Sequence, residues 1–305
     1  MSAQRGTGLS LIAFLGAIEA GLLFGLVALG VFISFRILDF PDLTVDGSLP
    51  LGAATAATLI VSGADPYLAT LAAMAAGALA GLVTALLNVW LGILHLLASI
   101  LTMISLYTIN LRVMGKPNQA LLGEATVFTP FEGLGLPFYW LTPVCLLLLL
   151  VLAVWLVTRF LTSEIGLGMR ATGANPRMAA SQGIETGRMK MLGIALSNSL
   201  VGLTGALFAQ IQGGADITMG VGVIVVGLAA VILGEAVLST RTILLATIGC
   251  VIGSILYRLA VAFALNAEFL GLQAQDLKLI TAVLVVIAMS LPGLRRRWHG
   301  RRRRR

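Results

Sequence analysis

Nine apolar stretches separated by short polar breaks constrain this chain more than any motif in it. Eight, at about 11–35, 66–91, 93–113, 139–161, 189–211, 218–238, 242–265 and 277–293, match ~30 Å of hydrocarbon at 1.5 Å per helical residue. The ninth, 48–62, is shorter and follows the polar string Asp39-Phe40-Pro41-Asp42-Leu43-Thr44-Val45-Asp46-Gly47-Ser48, which predicts a broken helix near 42–52. In lipid, backbone polar groups must be satisfied within the segment, so such runs become helices. The expected fold is all-α, a polytopic membrane bundle of about eight to nine transmembrane helices. Only 11% of residues are charged, against about a quarter in soluble domains, so a water-soluble globular domain is excluded.

The net charge of +7 suggests nucleic acid until it is located. Eight of the 20 basic residues are Arg295, Arg296, Arg297 and Arg301 through Arg305; the other 294 residues carry 12 basic and 13 acidic side chains. A basic tail beside an apolar helix reads as a cytoplasmic anchor on anionic headgroups, and no nucleic-acid partner is expected. The chain thus divides into a transmembrane domain, 1–294, and an arginine-rich tail, 295–305. Counting back from the tail puts Arg241 and the 162–188 segment with Arg170, Arg177 and Arg188 inside. Loop 114–138 and segment 266–275, with Glu124, Glu132 and Glu268 against Lys116, then fall outside. Nine crossings put the N-terminus outside, and eight put it inside; nine is the favoured count. Arg5 precedes an apolar stretch with no cleavage site, so the first helix is expected to stay. Cys145 and Cys250 sit in apolar runs and read as core residues, with no metal-ligand spacing.

The small-residue run 72–81, with Gly77 and Gly81 in a Gly-x-x-x-Gly spacing, suits close helix packing in lipid. Asp46-Gly47-Ser48-Leu49-Pro50-Leu51-Gly52 and Asp216-Ile217-Thr218-Met219-Gly220-Val221-Gly222 share Asp-x-Ser/Thr-x-x-x-Gly. Each opens an apolar helix, and the topology starts them on opposite sides, as an inverted repeat would; two independent helix caps give the same pattern. Polar residues inside spans are candidates for a translocation path: Glu19 in the first span, Thr44, Asp46 and Ser48 at the broken helix, Asn198, and Asp216 with Thr218. Asn198 and Gln210 also suit interhelical hydrogen bonding, Arg258 is expected to snorkel or pair with Glu268, and His95 to be a satisfied packing residue.

The cytoplasmic segment 164–188 is the most informative. Asn175-Pro176 starts a helix, Asn as cap and Pro at its first position, and Gly183 stops it about two turns later. Small side chains such as Ala179 and Ala180 suit a groove on a partner. Met169-Arg170-Ala171-Thr172-Gly173-Ala174-Asn175-Pro176, then Ala179-Ala180 and Gly183-Ile184, resembles the coupling loop of permease subunits of ABC importers in the branched-chain amino acid and ribose group. The resemblance continues through Gly193-Ile194-Ala195-Leu196-Ser197-Asn198, Leu203-Thr204-Gly205-Ala206-Leu207, Gly227-Leu228-Ala229-Ala230-Val231-Ile232-Leu233-Gly234-Glu235 and, in the first half, Leu43 to Ser48 and Leu51 to Ala53. It covers about 20–293 and is closest to a branch paired with lipoprotein-like solute-binding proteins, some proposed to serve aromatic amino acids such as tryptophan.

That resemblance implies a multi-pass protein of the bacterial plasma membrane carrying a small solute such as an amino acid. It implies a second permease copy, a cytoplasmic ABC ATPase dimer and an extracytoplasmic solute-binding protein as partners. Gly173, Asn175, Pro176, Arg177, Ala179, Ala180 and Gly183 would couple to the ATPase. The chain has no Walker motif, Gly-x-Ser-x-Gly or His-Glu-x-x-His, so it is not expected to be an enzyme or to bind a cofactor; ATP and Mg belong to the ATPase. The competing reading is an ion-coupled secondary transporter, which has no need of a coupling segment.

Overall fold

The structure is a computed structural model that describes residues 11–134, 138–238 and 241–266, with positions 282, 283 and 286 beyond them. Arg5, the side chain of Glu132, most of segment 266–275 with Glu268, most of the run 277–293 and the arginine tail 295–305 lie outside the described residues.

The chain folds into helices α1 (Leu11–Val31), α2 (Val45–Val61), α3 (Pro66–Val89), α4 (His95–Met114), α5 (Phe138–Leu161), α6 (Glu164–Ala174), α7 (Pro176–Ser181), α8 (Thr186–Gln212), α9 (Val223–Val237) and α10 (Ile243–Asn266). Two short strands, β1 (Asn118–Ala120) and β2 (Gly214–Asp216), pair antiparallel between the halves. Among the described residues, six helices (α1, α3, α4, α5, α8 and α10) are long and apolar enough to span a membrane. α2 and α9, with 17 and 15 residues, reach only ~26 and ~22 Å. The shorter run expected near 48–62 is therefore a partial crossing, and the run from 218 is one too, because its helix starts only at Val223 after a left-handed Gly222.

Named contacts sort the helix ends into two groups. At one end Arg36 Nε pairs with Glu235 Oε1 at 2.6 Å, the Phe40 ring lies 5.1 Å from that of His95, and Gly173 abuts Ile37 and Leu38. At the other, β1 pairs with β2, Leu121 N–H donates to Gly213 O at 2.8 Å, and Tyr67 Oη–H to Val127 O at 3.3 Å. Ile60, Ala69, Met114, Leu121, Ala215 and Ile217 form a small core beneath that hairpin. The first end also carries Arg170, Arg177, Arg188 and Arg241, so it is the inner one by the positive-inside rule. α1 then starts at the outer end, and α10, completing the eighth crossing, ends there.

The halves interlock through their first long helices. α8 packs chiefly on α3 and α2, and α1 packs on α10, α5, α8 and α9. Glycine sets the distances: a Cβ on Gly52 would strike Gly202 O, one on Gly205 Leu49 O, and ones on Gly77 and Gly81 the Asn198 and Ile194 carbonyls. Gly234 against Gly249, and Gly253 against Ala230 O, do the same between α9 and α10. Where lipid tails are as apolar as the helices, such close approach supplies the van der Waals contact that holds a bundle together.

Candidate functional site

Between α1 and α2 the chain abandons regular structure inside the bundle. α1 continues as a π-helical turn, Phe32–Ile37, and Asp39 takes φ 51°, the one positive φ among described non-glycine residues. The connection then rises along α8 to its midpoint. There Asp42 Oδ1 accepts from Thr44 N–H at 2.9 Å and Oδ2 from Asn198 Nδ2 at 2.6 Å. Asn198 Oδ1 accepts from Ser48 Oγ at 2.7 Å, and its amide also donates to Ile194 O at 3.0 Å. Thr44 Oγ1 meets Thr84 Oγ1 at 2.7 Å. All of these side chains are buried, so each polar atom must find its partner in protein.

Asp46 performs a different task from the one its position suggests. Its carboxylate does not cap its own helix; Oδ2 accepts from Gly222 N–H at 3.0 Å and Oδ1 from Ile224 N–H at 2.8 Å, the first amides of α9. Gly220 packs on Asp46 O and the Pro50 ring, where a Cβ would not fit. The two motif-bearing helices therefore start together at mid-depth and diverge, α2 to the outer end and α9 to the inner. This corrects the expectation that they start at opposite faces, while keeping their opposed directions.

The other candidates lie apart from this junction. Asp216 ends β2 on the outer hairpin; its Oδ1 accepts from Thr218 N–H at 2.7 Å and Thr218 Oγ1–H at 2.5 Å. Those bonds hold the carboxylate below its usual range, and Asp216 opens a turn, not a helix. Glu19 is half-buried on α1, ~16 Å of helix from Gly30, whose carbonyl accepts from Ser197 Oγ at 2.7 Å beside the junction. Gln210 bonds Thr70 Oγ1 at 3.0 Å and Val127 N–H at 2.9 Å, an interhelical role. Arg258 is half-buried, with its guanidinium carbon 3.9 Å from the Phe24 ring centroid, while Glu268, its other expected partner, lies outside the described residues. A groove of about 980 Å³ between α3, α5 and α8 is lined almost wholly by apolar side chains such as Leu71, Met74, Leu149 and Leu203, and no junction residue lines it.

The inner segment folds as two helices. Ser163 Oγ accepts from Gly166 N–H at 3.3 Å and starts α6; Asn175 Oδ1 accepts from Met178 N–H at 3.1 Å and starts α7 with Pro176 at its first position. Gly183 ends the segment at φ 84°, where a side chain is strained. Gly173, expected among the coupling residues, lies within α6 and packs on its own chain, against Ile37 O and Leu38 Cα. Ala179 is 3% exposed, buried against its own chain and so not on the face expected to meet a partner, whereas Met178 is 63% exposed. Arg177, Met178, Ala180 and Ser181 make the outward face.

A family model described as "Branched-chain amino acid transport system / permease component" matches residues 13–290. The chain belongs to this permease family. It is 37% identical over 274 residues to the tyrosine transport system permease protein of Clostridioides difficile (strain R20291), covering 90% of this chain and 89% of the relative. It is 34% identical over 278 residues to the uncharacterized protein RP368 of Rickettsia prowazekii (strain Madrid E), covering 90% and 95%. It is 27% identical over 251 residues to the ribose import permease protein of Escherichia coli (strain K12), covering 81% and 75%. No solved structure matches. The permease is a multi-pass protein of the bacterial inner membrane, in the permease family of ABC transport systems.

Sequence reasoning named Thr44, Ser48 and Asn198 of this permease's junction but missed Asp42, the carboxylate that joins them. The signal was present, since Asp42 stands in the quoted polar string next to a proline. Its local bond, from Thr44 N–H, looks like any Asp turn, and the partner that fixes it in the bundle, Asn198, is 156 residues away.

Proposed function

We propose that this permease is the membrane subunit of an ATP-driven importer that receives a small solute of the amino acid class from an extracytoplasmic binding protein. Two copies form the pore and present two α7 helices to an ABC ATPase dimer, which holds ATP and Mg and performs the hydrolysis. The observation that carries this reading is α7 itself: six residues, fixed by Asn175 and Pro176, offering Met178 and Ala180 outward beyond the inner helix ends. A carrier driven by an ion gradient has no use for such an element. A relative named for tyrosine transport supports the amino acid class. Asp46 sets the α9 N-terminus beside the path, with Thr44, Ser48 and Asn198 supporting it, Glu19 and Asp216 with Thr218 serve nearer its outer mouth, and the tail 295–305 anchors on anionic headgroups.

The test substitutes Ala180→Glu and Met178→Glu on the exposed face. A new carboxylate desolvated against the ATPase, plus overpacking, is expected to cost the docked state about 2–4 kcal/mol, roughly 30- to 1,000-fold in ATPase retention at 1.4 kcal/mol per factor of ten. Insertion and thermal stability of the permease alone stay unchanged, while co-purification of the ATPase and solute-stimulated hydrolysis are lost. Normal subunit ratio and normal stimulation in both variants, or uptake that persists without the ATPase, would replace the importer by the ion-coupled reading, to which the buried Asp42 is suited.

A further inference from the structure

α9 is held at both ends by one short stretch of chain. At its inner end Glu235 receives Arg36, and at its N-terminus Gly222 and Ile224 donate to Asp46. The signs suit a helix: the carboxylate sits at the positive N-terminal end, and the guanidinium near the negative C-terminal end. The stretch 36–46 thus runs antiparallel to α9 along its whole ~22 Å.

Three further observations set that stretch apart from a passive link. Its inner end is the π-helical turn, and Asp39 beyond it holds a positive φ; both are backbone states that persist only under constraint from their surroundings. Its middle is fastened to α8 by Asp42 and Asn198 and to α3 by Thr44 and Thr84. Its inner end is also what α6 rests on. Gly173 leaves no room for a Cβ against Ile37 O and Leu38 Cα, and Gly193 packs on the Leu38 side chain and Met169. Only Asn175 separates α6 from α7.

We propose that residues 36–46 form a strap that transmits motion of the α6–α7 unit to α9, with Arg36 and Glu235 as the positioning pair that holds the inner end of α9. The two holds are unequal. At the inner end one ion pair with a 56% exposed Arg36 holds α9, so water can solvate the guanidinium once the pair parts, whereas at the other end two hydrogen bonds tie Asp46 to the Gly222 and Ile224 amides. Displacement of α6 bears directly on Ile37, the residue after Arg36. The inner pair parts first, and α9 swings about the N-terminus that Asp46 retains, a hinge motion about one fixed helix end. The strap rests on the proposed function, since it needs an ATPase to move α6.

The experiment reconstitutes the complete transporter, permease pair, ATPase and binding protein, in proteoliposomes. It compares wild type with Arg36→Glu, Glu235→Arg and the exchanged pair R36E/E235R. Both single variants are expected to keep the wild-type subunit ratio and basal ATP hydrolysis, yet to lose about tenfold in solute moved per ATP, the size of a typical pairwise coupling. The exchanged pair recovers most of that loss. Single variants that move as much solute per ATP as wild type, or an exchange that recovers nothing, would overturn the strap. Should a charge reversal fail to fold, Arg36→Cys with Glu235→Cys, after Cys145 and Cys250 are replaced, is joined by a short bis-methanethiosulfonate reagent, each cysteine thiolate displacing a methanesulfinate to form a reducible disulfide. Cross-linking is expected to stop transport and reduction to restore it, and unimpeded transport in the cross-linked form overturns the proposal. An ATPase that does not assemble with wild-type permease contradicts the importer reading instead, so the two failures are distinguishable.

Discussion

Asp46→Ala isolates what holds the start of α9 at mid-depth. The side chain accepts from Gly222 N–H and Ile224 N–H at 3.0 and 2.8 Å, and neither amide has a preceding helical turn of α9 to donate into. Hydrogen bonds to a charged acceptor contribute about 1.5–3 kcal/mol each, loss of a cap costs about 0.5–2, and the charge at a helix N-terminus adds up to ~2. These overlap and the site is half-buried, so we expect a total near 3 kcal/mol for Ala. Asp46→Asn keeps one acceptor and loses the charge, for about 1 kcal/mol. At about 2–4 °C per kcal/mol for a domain of this size, Tm falls by about 6–12 °C for Ala and 2–4 °C for Asn. The assay is thermal unfolding of the purified permease in nanodiscs, followed by tryptophan fluorescence. A Tm for Asp46→Ala within ~1 °C of wild type, or equal effects of Ala and Asn, would show that these amides are satisfied without the carboxylate and would refute the reasoning.

Two further outcomes follow from the packing and the outer hairpin. Gly52→Ala drives a Cβ into Gly202 O and should cost about 1–3 kcal/mol with a broadened size-exclusion profile, whereas Gly63→Ala, at φ 87° in open space, should cost only about 1 kcal/mol of backbone strain. Thr218 holds the Asp216 carboxylate below its usual range of about 3.8, so the folded state binds fewer protons than the unfolded one. The resulting stability is fully present above the unfolded pKa and is lost as pH falls through the folded value. Amide exchange at Leu121 and Ile217, whose N–H groups donate across the hairpin, should rise in that acid window in wild type, and be already raised at neutral pH in Asp216→Asn.

The long spans were legible because bilayer thickness, not tertiary contact, fixes the length of an apolar run. Expected runs at 66–91, 93–113 and 189–211 became helices Pro66–Val89, His95–Met114 and Thr186–Gln212. α7 was legible for a similar reason: Asn175, Pro176 and Gly183 determine its ends through their own backbones. The junction was not, because the bonds that tie it to α8 and α9 join residues 150 to 178 apart in sequence, such as Ser48 with Asn198 and Asp46 with Ile224. A cap residue was recognisable at Asp46, but local pattern offered no way to see that it serves another helix. The packing of Gly173 and Ala179 was not legible for the same cause, since a small residue looks alike whether it faces a partner or its own chain.

One carboxylate serves two helix starts, and this explains why the two similar motifs ended in different places. α2 and α9 both begin at mid-depth, each bringing a partial positive charge of about half a unit and orphan amides that need acceptors. α2 settles its own first amides on nearby carbonyls: Gly47 and Ser48 N–H donate to Thr44 O at 2.9 and 2.8 Å. Its Asp46 is thereby free to serve α9 while still lying in the first turn of α2, so a single negative charge opposes both helix ends. Asp42 at the same depth turns to Asn198 on α8, and a further carboxylate at the start of α9 would face Asp46 as a like charge. Asp216, its counterpart in the second half, is instead turned outward onto the hairpin with Asn118 and Thr218. An anionic group of a solute approaching α9 meets the same constraint: it gains the helix end only where Asp46 yields it.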